Sequence, residues 1–139
     1  MIIVTISKNK LMKNKMSIHV KSLVFTDSIF ACNANNERII TEESIDIMTD
    51  KYTNGYPDPN EPNVFPDYIG NYFGFTFVVS EDPEKDGSGA GKGTYGWSGY
   101  HNTHFWIDPQ NNTYGLFMSR SIEFDFSIKK NFKKAVYLQ

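Results

Sequence analysis

The sequence predicts an α+β fold in which an antiparallel sheet of three to four strands carries a C-terminal helix on one face. Three segments rich in aromatic and β-branched residues lie close together, separated only by short polar turns: 94–100, 104–108 and 113–119. Short connections join antiparallel neighbours, because parallel strands need a long crossover. Helical periodicity appears only before and after these strands, and this segregation is typical of α+β proteins.

The size and composition fit one globular domain. The chain has 139 residues, 40% hydrophobic and 22% charged, which is enough to bury a core. Its net charge of −2 argues against a nucleic-acid partner, for which a basic face is typical. No apolar run reaches the roughly 18 residues of a membrane span. With no signal peptide in this chain, the location stays open, with the cytoplasm as the default.

The N-terminal 22 residues read as an atypical segment that we expect to be disordered, because lysines and asparagines follow the first apolar positions without a period. The domain then occupies residues 23–139. Residues 39–49 predict a short helix, in which the Thr41 hydroxyl caps the first turn. Residues 72–79 predict one strand, in which alternate phenylalanines share a face.

The last element is predicted to be helical. Asp125 or Ser127 can cap it, and Ile128, Phe132 and Val136 recur at helical spacing. The same helix carries four basic residues: Lys129, Lys130, Lys133 and Lys134. We interpret these lysines as a solvated helix face, with contact to an anionic partner as the alternative.

Neither nucleotide nor metal chemistry is well supported. The glycine-rich stretch 87–94 departs from the P-loop pattern, since Asp86 and Gly93 stand where glycine and a hydroxyl residue are required. His101 and His104 are three residues apart on a strand, so they point to opposite faces. Cys32 is the one cysteine and cannot form an internal disulfide or a Cys-built zinc set. We therefore expect no metal and no other cofactor.

The most informative stretch is Tyr95-Gly96-Trp97-Ser98-Gly99-Tyr100. Small residues inside a strand indicate that something approaches the backbone closely. One interpretation is a core strand with a bend. The other is the edge of a substrate cleft, where backbone N–H groups serve as donors between the aromatic walls of Tyr95 and Trp97.

These residues carry a resemblance to a known superfamily. The stretch 93–99, followed by Thr103-His104-Phe105-Trp106-Ile107-Asp108-Pro109 and Gly115-Leu116-Phe117-Met118-Ser119, resembles the C-terminal sheet of the serine β-lactamase-like superfamily. That superfamily includes class C β-lactamases, penicillin-binding proteins and esterase-like serine hydrolases. Trp97-Ser98-Gly99 is similar to the triplet of the esterase-like branch. The likeness covers about residues 37–137.

The resemblance implies an incomplete β-lactamase-like, or serine transpeptidase-like, fold and acyl transfer through a serine ester. A Ser-x-x-Lys motif would supply the nucleophile and a Tyr-x-Asn motif the general base. The third motif would lie on an edge strand, with Trp97 and Ser98 facing the substrate. The N–H of Tyr100 would complete the oxyanion hole. The implied substrate-binding residues are therefore Trp97, Ser98, Gly99 and Tyr100.

Two further strings match the catalytic motifs by chance. Ser7-Lys8-Asn9-Lys10 lies 90 residues before Trp97, where the family has a separation of a couple of hundred, and Tyr52-Thr53-Asn54 falls in a loop. Rejecting Ser7 and Tyr52 leaves no credible nucleophile. The sequence thus predicts a β-lactamase-related serine hydrolase fragment, inactive alone, acting on β-lactam, D-Ala peptide or ester substrates. The alternatives are one half of a split enzyme and a non-catalytic ligand-binding module.

The expected partners follow from this interpretation. They are a small-molecule or peptide acyl substrate in the complete enzyme, and either a complementing N-terminal half or a second copy of the chain. A sheet without its complement exposes apolar surface. We expect that surface to comprise Phe75, Phe77, Trp106, Phe117 and the helix face of Phe132 and Val136.

Overall fold

The computed structural model describes residues 2–7, 39–53 and 69–137. Its strands form one antiparallel sheet in the order β1-β6-β5-β4-β3-β2. They are β1 (Ile2–Ser7), β2 (Asn71–Phe73), β3 (Val78–Ser80), β4 (Tyr95–Gly99), β5 (Thr103–Asp108) and β6 (Thr113–Met118). The helices are α1 (Glu42–Thr49), α2 (Pro83–Asp86) and α3 (Phe126–Tyr137). The α+β class and the C-terminal helix are confirmed, but the predicted count of three to four strands is too low.

Strand β1 is one reason for the low count. It lies within the segment 1–22 that the sequence suggested to be disordered, and it pairs with β6 along its whole length, from Ile2 opposite Met118 to Ser7 opposite Thr113. Five of its six residues are β-branched, which favours an extended backbone. A short strand of this kind is stable only beside a partner, and its partner is more than a hundred residues away. The other residues of 1–22 lie outside the described residues.

The predicted single strand 72–79 is wrong, because the chain reverses in its middle. Strands β2 and β3 form a hairpin around the turn 74–77, in which Gly74 N–H donates to the Phe77 carbonyl at 2.9 Å. Phe75 N–H donates to the carbonyl of Met48 in α1, also at 2.9 Å. At Gly74 that same carbonyl occupies the place of a Cβ, so only glycine fits.

The meander of β4, β5 and β6 is confirmed. The turn 109–112 joins β5 to β6, as predicted, and Asn112 adopts a φ of 49°. The buried carboxylate of Asp108 holds this turn by accepting from the N–H of Asn111 at 2.9 Å and from its side-chain amide at 2.8 Å. It also accepts from Gly91 N–H at 2.7 Å, so the glycine-rich loop is anchored to the sheet rather than arranged around a phosphate.

The two longer helices lie against opposite faces of the sheet. Ile45 of α1 packs on a core of Val79, Tyr95, Ile107 and Tyr114. On the other face, Phe132 of α3 packs edge-on against Trp106, with ring centroids 5.0 Å apart. The predicted caps are present: Thr41 Oγ1 accepts from Ser44 N–H at 3.1 Å, and Asp125 accepts from Ser127 N–H at 2.8 Å.

The predicted exposed apolar surface is correct only in part. Phe75 is 71% exposed, but Trp106 and Phe117 are buried because α3 covers them. The partly exposed apolar side chains of the sheet lie on the opposite face, at Trp97, Leu116 and Met118. Cα pairing places Trp97 and Leu116 on that face through Phe105, their shared neighbour in β5.

The interpretation of the lysines of α3 as a solvated face is wrong for two of the four. Lys129 and Lys133 are 8% and 7% exposed, whereas Lys130 is exposed and Lys134 is half-buried. Residues four apart share one face of a helix, and here that face meets the sheet.

Among the described residues, no helix is long and apolar enough to cross a membrane.

Candidate substrate-binding strand

Strand β4 lies between β5 and β3. It is paired along its whole length on the β5 side but only along its first half on the β3 side. It pairs with β5 from Tyr95 to Gly99, whereas β3 pairs with only Tyr95 and Gly96. The resemblance implied an edge strand, and β4 is instead internal in the order of the sheet. Because the chain turns at 74–77, the stretch from Trp97 to Gly99 still has no strand beside it on the β3 side within the described residues. We call this stretch the free half-edge.

The backbone N–H and carbonyl of Ser98 point outward from the free half-edge, toward the side on which β3 lies. Ser80 N–H donates to the Thr94 carbonyl at 2.8 Å, which fixes the side to which Thr94 presents its peptide groups. Hydrogen-bonded positions alternate along an antiparallel strand, so Gly96 and Ser98 present theirs to the same side. On that side Gly96 is paired with Val78 of β3, whereas the position opposite Ser98 falls in the turn 74–77. Ser98 therefore offers an N–H and a carbonyl at a strand edge.

Aromatic side chains border this edge. The Trp97 side chain is 42% exposed, and its ring lies 5.8 Å from that of Phe73. Tyr52 and Phe75 extend the border, with ring centroids 6.2 Å apart and exposures of 56% and 71%. The Phe73 carbonyl accepts from Tyr52 N–H at 3.1 Å, which holds the segment after α1 against β2. We call these four residues the aromatic border.

The side chain of Ser98 does not join Trp97 in facing one substrate, as the resemblance implied. Consecutive strand residues point to opposite faces, and Ser98 pairs with His104 while Trp97 pairs with Phe105. The Ser98 hydroxyl and His104 Nδ1 share a hydrogen bond of 2.9 Å. His104 is 1% exposed and lies between the rings of Phe117 and Phe124. Of Ser98, only the backbone N–H and carbonyl are therefore available to a ligand at the free half-edge.

The end of β4 is closely packed. At Gly99 the position of a Cβ is occupied by the Thr103 hydroxyl, so a larger residue does not fit without a shift. Tyr100 follows with 75% of its surface exposed, beside the ring of His101 at 5.2 Å. Asn102 is fully buried with a φ of 55°, and its side-chain carbonyl accepts from Asp125 N–H at 2.8 Å. The turn that carries Tyr100 is therefore fastened to the start of α3.

Ser7 lies far from this strand. Through the pairings of Ser98 with His104, His104 with Phe117, and Phe117 with Ile3, Ser98 is level with Ile3 on β1. Three strand spacings and four residues of strand length place Ser7 about 20 Å away. Tyr52, the other rejected residue, belongs to the aromatic border through its contacts with Phe73 and Phe75, but Asn54 of its motif is outside the described residues.

Sequence reasoning missed two polar residues that shape the site: His104 and Asn102. The sequence places His104 on a strand, but no local pattern reveals that its partner is the side chain of Ser98. Asn102 had a local signal, since asparagine tolerates a positive φ in turns. Within the described part of the chain, no group of three or more His, Cys, Asp or Glu residues could hold a metal ion.

Comparison with protein-family models finds no match for this chain, and a search of curated proteins finds none either.

Proposed function

We propose that this chain is a fragment of a β-lactamase-related serine hydrolase that keeps the substrate-binding strand, and that it is inactive alone because it carries no credible Ser-x-x-Lys nucleophile. The reaction would be acyl transfer through a serine ester on a β-lactam, a D-Ala peptide or an ester. The observation that carries the proposal is the free half-edge of β4, with the peptide groups of Ser98 beside the exposed ring of Trp97.

The geometry of the free half-edge suits an extended acyl substrate. A strand edge offers an alternating N–H and carbonyl, to which a peptide-like chain binds by main-chain hydrogen bonds. The aromatic border gives such a ligand an apolar wall, and rings of this kind contribute much of the contact area in small-molecule sites. The Tyr100 N–H lies at the end of the edge, where it would be the donor to a developing oxyanion.

The proposal assigns no nucleophile to this chain. Ser7 lies about 20 Å from Ser98 by strand geometry, too far to reach a substrate bound at the free half-edge. The Ser98 hydroxyl points to the opposite face from Trp97 and is bonded to His104. Binding without turnover is therefore the expected behaviour of the chain alone.

A titration with an acyl-D-Ala-D-Ala peptide tests the binding, with the emission of Trp97 as the signal. Trp106 is 1% exposed and serves as an internal reference, whereas Trp97 is 42% exposed and will respond to a ligand. We expect a saturable change that is lost in Trp97→Phe and kept in Tyr52→Phe, which retains its ring. A flat titration with the peptide, a chromogenic ester and a chromogenic cephalosporin would overturn the proposal.

A second measurement separates the fragment from its alternatives. The chain alone is incubated with a chromogenic ester and analysed by mass spectrometry, and we expect neither turnover nor an acyl adduct. Hydrolysis restored by co-expression with a neighbouring reading frame that encodes a Ser-x-x-Lys helix would establish a split enzyme. Saturable binding without restoration by that frame would instead indicate a ligand-binding module. An adduct on Ser7 or Ser98 would show that the chain carries its own nucleophile.

A further inference from the structure

Strand β1 forms one end of the sheet. It pairs with β6 along its whole length, and within the described residues no strand lies on its second side, which we call the outer edge. The opposite end of the sheet, at β2, is covered at Phe73 by the segment that follows α1. There the Phe73 carbonyl accepts from Tyr52 N–H at 3.1 Å, and Phe73 N–H donates to Thr53 Oγ1 at 3.0 Å.

The direction of the peptide groups of β1 follows from the alternation in the sheet. Residues of β4 that do not face β3 face β5, and the alternation is carried to β1 by directly paired residues: Tyr95 with Ile107, Trp106 with Gly115, and Leu116 with Val4. Val4 therefore presents its N–H and carbonyl to β6. Ile3, Thr5 and Ser7 present theirs to the outer edge.

The outer edge lacks the features that prevent a strand from pairing with another chain. Strand β1 contains no charged residue and no proline, and its register with β6 runs without a bulge. Natural proteins use these devices to protect exposed strand edges. Five of the six residues are β-branched, which favours an extended backbone that is ready to pair.

The outer edge is complementary to itself. When two copies of β1 run antiparallel about a two-fold axis at Thr5, Thr5 lies opposite its counterpart, and Ile3 lies opposite Ser7. Every outward N–H and carbonyl of these residues then meets an outward group of the other copy. Threonine pairs directly across two strands are favourable. The lysine-rich segment that follows Ser7 leaves the strand at opposite ends in the two copies, so its charges are kept apart.

We propose that a second copy of this chain binds at the outer edge, with the two β1 strands antiparallel about a two-fold axis at Thr5. The two sheets then become one continuous sheet. A single strand pair buries less surface than a standard interface, so we expect a dimer of micromolar Kd. The inference does not depend on the proposed function, because β5 and β6 separate the outer edge from β4.

Sedimentation equilibrium of the full chain at several concentrations measures the dimer. Thr5→Pro removes an N–H at the outer edge and leaves the N–H groups bonded to β6 in place. Thr5→Lys brings two like charges directly opposite each other. We expect either change to weaken the dimer at least about tenfold. Thr76→Lys adds the same charge at an exposed position in the turn 74–77 and should leave the Kd unchanged.

Cross-linking tests the register and stays decisive if Thr5→Pro does not fold. In a Cys32→Ser background, Thr5→Cys should form a disulfide between copies, because Cα atoms of such a pair lie about 5.5 Å apart. Ile3→Cys should not, because four residues of strand separate the two Ile3 positions by about 13 Å.

Three results would overturn the proposal. They are a chain that stays monomeric at every concentration, a dimer that both Thr5 variants leave unchanged, and equal cross-linking of the two cysteine variants. A monomer whose melting temperature falls in Thr5→Lys would assign the outer edge to another part of the same chain.

Discussion

The Ser98 hydroxyl and Nδ1 of His104 lie 2.9 Å apart, and their hydrogen bond ties β4 to β5 in the middle of the free half-edge. His104 is almost fully buried, so its ring is held between Phe117 and Phe124 and cannot turn to water. The bond therefore fixes the direction of the Ser98 side chain. Since neighbouring strand residues alternate, it also fixes the side on which Trp97 is displayed.

Removing this hydroxyl should destabilise the domain. In Ser98→Ala, Nδ1 of a buried imidazole loses a partner, which costs about 1–3 kcal/mol. Urea unfolding followed by Trp emission measures the change. Ser98→Thr keeps a hydroxyl and should lose less, and Thr76→Ala, at an exposed position in the turn 74–77, should have almost no effect. A stability of Ser98→Ala equal to that of the wild type would mean that the bond contributes nothing net.

Two variants of Tyr100 separate the role of its backbone N–H from the role of its side chain. Tyr100→Pro removes the N–H, whereas Tyr100→Ala keeps it and removes the exposed ring. Proline also drives the preceding residue to an extended backbone, and Gly99 is already in β4. We expect Tyr100→Pro to weaken binding of the acyl-D-Ala-D-Ala peptide about three- to tenfold, the effect of one lost hydrogen bond. Equal Kd values for the two variants would mean that the Tyr100 N–H makes no hydrogen bond to the bound peptide.

Gly115 should be among the least tolerant positions of the sheet. The Trp106 ring lies over it and occupies the space that a Cβ would need. Trp106 is itself fixed, because Nε1 donates to the Tyr137 hydroxyl at 3.0 Å and Phe132 packs edge-on against it. We expect Gly115→Ala to lower the free energy of unfolding by about 1–3 kcal/mol through overpacking. In the Trp106→Leu background the same change should cost much less, and equal costs would contradict the contact.

The elements that the sequence predicted correctly are those whose signals are local. The Thr41 cap, the turn 109–112 and the meander depend on residues close together in the chain. The errors concern partners that are distant in sequence. Strand β1 requires β6, and the break after Phe73 requires the Met48 carbonyl, which neither period nor turn residues reveal.

The site shows the same division. A strand with small residues between aromatic walls was visible in the sequence, and β4 has this form. The sequence did not reveal that β3 begins only at Val78, which leaves Ser98 at a free edge. It also did not reveal that the Ser98 side chain bonds His104 on the face opposite Trp97. The burial of Lys129 and Lys133 likewise depends on how far α3 is turned toward the sheet, because these lysines lie beside the face on which Phe132 packs against Trp106.

Alkaline pH should destabilise the fold through its buried tyrosines. Burial raises the pKa of Tyr114 to about 12, and it also raises the pKa values of Tyr95 and Tyr137. Above pH 10 these phenols ionise in the unfolded chain while they stay neutral in the folded one. The unfolded state then binds fewer protons, so the contribution of these tyrosines to stability is constant below pH 10 and falls as the pH rises toward 12.

Tyr114 alone should account for about 2–3 kcal/mol of this loss, since each pKa unit corresponds to about 1.4 kcal/mol. Urea unfolding at pH 9 and pH 11 measures the slope. In Tyr114→Phe the decrease between these values should be smaller than in the wild type, while the exposed Tyr100→Phe control should match the wild type. An unchanged slope in Tyr114→Phe would mean that Tyr114 ionises as readily in the folded chain as in the unfolded one.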